Sequence, residues 1–204
     1  RIMKRKLVFT ITLILISVYA NSQFVDANKN GKMDVYETPE ANIEDRIDDL
    51  LSKMNLDEKI AQMKSISELQ LDNQEGNLSK RGNINKNIEF GLGQLSRSGE
   101  DLYPTQTVKK LNNLQKFLLE ETRLGIPAII HEQCLHGVMM EGATIYPQPL
   151  AMASSWNVDL QEKVAAAIAK ETRSRGSNLA LTPNIDLARD PRYGRTDETF
   201  GEDP

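Results

Sequence analysis

The alternation of apolar and polar positions divides the chain into a few helical stretches and several short apolar runs. Ile43, Ile47, Leu50, Leu51 and Met54 recur at helical spacing among acids and bases, which predicts an amphipathic helix over Asn42–Met54. Asn55 followed by Glu58 forms a capping pair that opens a second helix, running to about Met63. Ser65–Lys86 is polar, contains Gly76 and Gly82, and reads as a long loop or insertion. Ile88–Leu95, with Gly91 and Gly93, reads as a short strand and its exit turn. Helical spacing returns over Thr105–Arg123 through Val108, Leu111, Leu114 and Leu118, with Gly125 at the place of a C-terminal cap. The run Ile126–Ile130 has the composition of a buried parallel strand. A Pro-containing loop, Tyr146–Pro149, leads to a helix over Val158–Arg175, stopped by Gly176, and Leu179–Leu187 supplies a further strand. This order of elements predicts an α/β fold with parallel strands. Polar residues bunch where the strands end, which in an α/β barrel is the ligand-binding face.

Charge changes the picture at the N-terminus. Basic Arg1–Lys6, the apolar run Leu7–Ala20 and the small residues Ala20 and Ser22 before Gln23 read as a secretory signal peptide over 1–22. The apolar run is shorter than the ~20 residues a spanning helix needs. These readings imply an exported protein, periplasmic or extracellular, with no membrane attachment after cleavage. The formal charge of −4 becomes −8 without residues 1–22, since 21 basic side chains then face 29 acidic ones. That balance repels phosphate backbones and anionic lipid, so nucleic acid and membrane are poor partners, whereas a neutral sugar is compatible. The single Cys134 excludes an internal disulfide.

Three segments carry candidate chemistry. In the polar leader 23–41, Asp26, Asn28, Asn30, Asp34 and Glu37 stand at positions 1, 3, 5, 9 and 12 of a loop with Gly31 at 6, the oxygen pattern of an EF-hand calcium loop. The alternative is a solvated Asn/Asp-rich turn with an Asx cap. Next, His131-Glu132-Gln133-Cys134-Leu135-His136-Gly137 follows the strand at Ile130. Its two histidines are five residues apart, about 140° around a helix, which disfavours a zinc pair. A strand-end loop is the better reading, with Glu132 and Gln133 facing a ligand or satisfying backbone and Gly137 permitting a close turn. Finally, Arg189, Arg192 and Arg195 alternate with Asp186, Asp190, Asp197 and Glu198. They suit either an ion-pair network between loops or one arginine offering fixed donors to a polyhydroxylated ligand.

Taken together, LGIPAIIHEQCLHG (124–137), YPQPLAMASSWN (146–157) and LTPNIDLARDPRYGRTDETFGEDP (181–204) resemble glycoside hydrolase family 3, the β-glucosidase and β-xylosidase family, over 42–204. Even 26–39 is similar to a leader ahead of the barrel in some bacterial members. The resemblance implies the N-terminal part of a (β/α)8 barrel of triosephosphate-isomerase type, incomplete in this chain. It implies a retaining exo-β-glycosidase acting on terminal β-glucosyl or β-xylosyl residues through two carboxyl groups, with no cofactor required. Arg189, the first Arg of Arg-Asp-Pro-Arg, matches the residue that binds hydroxyls of the terminal sugar. Gln133 stands where a sugar-binding carboxylate is common, and an amide lacks its charge-assisted bond. The nucleophile and acid/base of the family come later than the equivalent of Pro204, so no catalytic residue is assigned, and the polypeptide alone is expected to be inactive. A non-catalytic carbohydrate-binding relative and a calcium-stabilised module are the alternatives.

Overall fold

The computed structural model describes residues 24–67, 88–99 and 102–203, which form two compact units, up to Asn55 and from Leu56. The expected signal peptide and most of the expected loop 65–86 lie outside the described residues.

The first unit joins the polar leader to helix α1 (Ile43–Lys53). The Asn42 side chain accepts the Glu44 amide, acids fill the first turn and Lys53 the last, an arrangement that complements the helix dipole. One turn of 3-10 helix, Val35–Glu37, sits against α1: the Tyr36 amide donates to Asp49, the Arg46 guanidinium donates to the Tyr36 carbonyl, and Lys53 bridges Asp34 and Asp49. The Tyr36 hydroxyl is pushed up in pKa, first by burial and then by the Glu37 charge.

The second unit runs α2 (Leu56–Gln62), β1 (Ser65–Ser67), β2 (Gln94–Ser96), α3 (Pro104–Glu121), β3 (Ile129–Gln133), α4 (Pro149–Ala153), α5 (Val158–Ser174) and β4 (Leu179–Leu181). The four strands are parallel and neighbour one another in chain order, the arrangement of successive strands in a barrel of triosephosphate-isomerase type. In register, Ile66, Leu95 and Ile130 align on one face, where they bury against Leu111, Leu114, Phe117 and Leu118 of α3. At about 1.5–3 kcal/mol for each large apolar side chain buried, that contact dominates the holding of α3 to the sheet. A second cluster, Cys134, Val138, Met140 and Ile168, packs the segment after β3 on α5.

Several boundaries differ from the sequence reading. Strand β3 begins at Ile129, three residues later than the apolar run suggests: Pro127 has no N–H to offer a ladder, and the first bond joining β3 to its neighbour is from the Ile129 amide to the Gly93 carbonyl. His131, Glu132 and Gln133 are therefore strand residues, not a loop. The segment Ile88–Leu95 is mostly turn, with the strand at Gln94–Ser96, and the polar Ser65–Ser67 is a strand because it pairs with β2. Strand β4 stops at Leu181, where Pro183 ends the ladder. Helix α3 ends at Glu121, ahead of Gly125, with the Thr122 hydroxyl bonded to the Leu118 carbonyl. The short helix α4 was not anticipated; Pro149 starts it at a position that needs no N–H donor.

Candidate functional site

A cavity of about 530 Å³ opens where β2 and β3 end. Arg97 and Gln133 line it from the strand ends, His136 and Met139 from the loop after β3, and Arg195, Asp197 and Glu198 from the last described segment. Apolar Leu135, Ile145 and Pro149 also line it, so the wall carries both polar and apolar groups.

Strand alternation decides which residues of the His131–Gly137 motif reach the cavity. Gln133, on the face opposite Ile130, is half-buried and lines it. Glu132 points the other way, is buried, and accepts both the Ser98 amide (2.5 Å) and the Ser98 hydroxyl (2.6 Å) on Oε1. It is thus an anchor between the ends of β2 and β3 rather than a ligand group. His131 is buried and its pKa is lowered by that burial, which favours the neutral ring. His136 shares a hydrogen with the Tyr146 carbonyl through Nδ1 at 2.9 Å, and the Tyr146 amide donates back to the His136 carbonyl at 2.7 Å. This close return needs Gly137: its φ is +139°, and a β-carbon there would strike the Thr144 carbonyl.

Within 186–198 the charges pair locally. Arg192 meets Asp190 through Nε and Nη2, with 2.6 Å from Nη2 to Oδ2, and Arg195 meets Glu198 in the same two-point way. Both acids are held below the ordinary carboxylate range, chiefly by those arginine bonds. The Tyr193 hydroxyl donates to Asp186 at 3.0 Å, and the Ala188 amide ties the segment to the Gly201 carbonyl. Arg189 is exposed, does not line the cavity, and its guanidinium has no ion pair among the described residues.

In the leader, the Asp26 carboxylate accepts the Asn30 and Gly31 amides, and Glu37 accepts Ala27 and Asn28 on one oxygen and Asp34 on the other. The side-chain amides of Asn28 and Asn30 both donate to Asp34 Oδ2, at 2.6 and 2.7 Å. Gly31 takes φ of +77°, the left-handed bend of the sixth loop position. Among the described residues, no three His, Cys, Asp or Glu side chains converge as a metal site. Arg97 was missed by sequence reasoning: it follows a strand whose limits the apolar pattern misplaced, and nothing in its spacing marks it.

The family model for the glycosyl hydrolase family 3 N terminal domain matches residues 55–204. The chain is 34% identical over 167 residues to a periplasmic beta-glucosidase of Salmonella typhimurium, which covers 81% of this chain and 19% of that protein. It is 33% identical over 196 residues to a periplasmic beta-glucosidase/beta-xylosidase of Dickeya chrysanthemi, covering 89% of this chain and 29% of the relative. A solved β-glucosidase structure from Erythrobacter marinus superposes with a TM-score of 0.70 at 34% identity, over 83% of this chain and 22% of that one. The chain thus spans less than a third of the length of each of these relatives. No helix among the described residues is long and apolar enough to cross a membrane.

Proposed function

The chain belongs to glycosyl hydrolase family 3, and from that premise we propose that it provides sugar-binding residues of an exported, retaining exo-β-glycosidase acting on terminal β-glucosyl or β-xylosyl residues. The observation that carries the reading is the contrast among the arginines of 189–195. Arg192 and Arg195 are occupied by Asp190 and Glu198, while Arg189, the position that matches the sugar-binding arginine of the family, has no ionic partner among the described residues. Gln133, lining the cavity at the end of β3, offers a neutral donor and acceptor to a sugar bound there. Periplasmic relatives support export, as does the signal-like 1–22.

None of the acids in this chain is assigned to the chemistry. A general acid needs a raised pKa, whereas Asp190 and Glu198 are lowered, and Glu132 is buried on Ser98. The test is hydrolysis of 4-nitrophenyl β-D-glucoside and β-D-xyloside by the protein as its gene encodes it, with the anomer released followed by proton NMR. Release of the β-anomer supports the proposal. Sugar binding without turnover would favour a non-catalytic carbohydrate-binding protein, and an α-anomer would remove the retaining mechanism.

We propose separately that the loop 26–37 takes a calcium ion. What favours it is the left-handed Gly31 at the sixth position, between oxygen-bearing side chains at 1, 3, 5, 9 and 12. Binding would replace the Asn28 and Asn30 donors on Asp34 with metal–oxygen contacts. Calcium should raise the melting temperature of the parent and not of Asp34→Ala; an equal rise in both, or none, removes the site.

A further inference from the structure

We infer that Glu171 and Arg175, an ion pair at the end of α5 that does not line the cavity, are positioning residues for substrate. They hold the loop 141–144 so that Ile145 forms an apolar wall against which the sugar binds. The role rests on the glycosidase reading and adds to it the device that fixes one side of the site.

The pair stands on a rigid base. Arg175 caps α5, its amide donating to the Glu171 and Thr172 carbonyls at 3.1 and 3.2 Å. The buried Thr172 hydroxyl donates to the Ile168 carbonyl and lies 3.4 Å from the Cys134 sulfur. Gly176 follows with φ of +97°, and a β-carbon there would meet the Leu111 side chain of α3 at 2.9 Å, so the chain leaves the helix in one direction. From this base the buried Arg175 reaches the loop. Nη1 donates to the Glu141 carbonyl at 2.9 Å, Nη2 to the Gly142 carbonyl at 3.0 Å, and Nη2 also meets Glu171 Oε1 at 2.8 Å. Glu171 in turn accepts the Thr144 amide on Oε2 at 3.2 Å. The cation takes two carbonyls and the anion takes an amide, so one ion pair satisfies three main-chain groups within four residues. Of those four, Ala143 packs on the apolar cluster around Cys134 and Ile168; the other three are exposed, and the ion pair is what holds them.

The anchored stretch runs directly into the cavity wall. Glu171 holds the Thr144 amide and the His136 carbonyl holds the Tyr146 amide at 2.7 Å, so Ile145 lies between two fixed points. Gly137 lets the Thr144 carbonyl approach the end of β3 closely. The Ile145 side chain is mostly exposed yet lines the cavity, with Gln148 and Pro149 following. Core packing does not fix an exposed isoleucine, so the main chain on either side must. An apolar wall held in this way suits the C–H face of a pyranose, while the Gln133 amide suits its hydroxyls.

The decisive protein is the double variant Glu171→Leu/Arg175→Met, made in the protein as its gene encodes it. Removing both partners leaves no buried charge unpaired, whereas either single truncation strands one. Expected is at least a threefold rise in KM on whichever of 4-nitrophenyl β-D-glucoside and β-D-xyloside the parent hydrolyses, with a smaller change in kcat. Ile145→Ala should also raise KM at least threefold in the parent, and by a smaller factor in the double variant, since a wall already released has less to lose. A pair that only stabilised the fold would lower the melting temperature and leave KM alone. A smaller rise in KM for the double variant, or the same factor for Ile145→Ala in both backgrounds, overturns the inference. Should the double variant not fold, Arg175→Lys takes its place under the same criteria: an ammonium keeps the charge beside Glu171 but not the fork that spans two carbonyls. If the parent hydrolyses neither glycoside, the glycosidase reading fails on its own, and the anchoring of Ile145 is read from its δ-methyl signal by carbon-13 NMR. A shift or broadening in the double variant with the Ile130 methyl unmoved supports the anchor; an Ile145 signal that is unmoved, or that moves only together with Ile130, overturns it.

Discussion

The leader loop 26–37 and the segment 186–198 read alike as sequence, each crowding oxygen-bearing side chains into a short polar stretch, yet the structure uses those oxygens in opposite ways. In the loop, the carboxylates of Asp26 and Glu37 accept main-chain amides, five in all, so the chain is wrapped around its own acids and Glu37 is buried. In the segment, Asp190 and Glu198 accept arginine side chains two and three residues away, and the pairs stand at the surface. An acid that accepts several backbone donors at once specifies the conformation that brings them together. An acid that holds a surface arginine contributes little to stability; its consequence is to decide which arginine stays available.

The sharpest way to break this contrast is Glu37→Ala. Three half-buried amides, of Ala27, Asn28 and Asp34, lose their acceptor at once, and each such hydrogen bond contributes about 0.5–1.5 kcal/mol net. Hydrogen exchange at those amides should accelerate at least tenfold, with little change in the sheet of the second unit. Unchanged exchange would mean that the loop does not depend on its acid and that the two regions are alike after all.

A subtler separation comes from pH and salt. Asp34 is held below the usual carboxylate range chiefly by the neutral Asn28 amide, Asp190 chiefly by the Arg192 guanidinium. A folded-state pKa below the unfolded value stabilises the fold above about pH 4 and loses that contribution as pH falls through the folded value. Both regions therefore loosen on the acid side. Salt should distinguish them in degree: Asp34 also meets Lys53, but its Asn28 and Asn30 bonds come from neutral donors, which salt screens less than an ion pair. In a carboxyl-carbon NMR titration repeated at high salt, Asp190 should move further back toward its ordinary value than Asp34. The reverse order would place the loop among the charge-dependent regions.

How much of this was legible in the sequence follows from what each signal encodes. Helix periodicity encodes a buried face, and Leu111, Leu114 and Leu118 stand out in the sequence because, with Phe117, they pack α3 on the sheet. Apolar runs encode burial but not the hydrogen-bond ladder, so Ile126–Ile130 reads as the strand although pairing begins at Ile129. Of the two roles the sequence leaves open for Glu132, facing a ligand or satisfying backbone, the second is the one it fills, on the Ser98 amide and hydroxyl. Gln133 was found through the family motif. Arg97 was not, because a left-handed backbone at a non-glycine residue is imposed from outside the local sequence, here by the fixing of Ser98.

The smallest expected effect is also the cleanest separation within 186–198. Arg192 is nearly fully exposed and bonded to Asp190, so Arg192→Ala should leave the unfolding midpoint in urea unchanged within error. Arg189→Ala should leave it unchanged as well, since its side chain has no ion pair to lose. The two variants part only in the presence of sugar: a saturating β-glucoside should raise the midpoint of the parent and of Arg192→Ala, and fail to raise that of Arg189→Ala, because a ligand stabilises only the form that binds it. Equal protection of both variants would make Arg189 one more surface arginine and leave ligand binding to the residues that line the cavity, Gln133 among them. Loss of protection in Arg192→Ala alone would show that the pair with Asp190 positions the loop for binding, and the surface network would then belong with the structural acids of the leader.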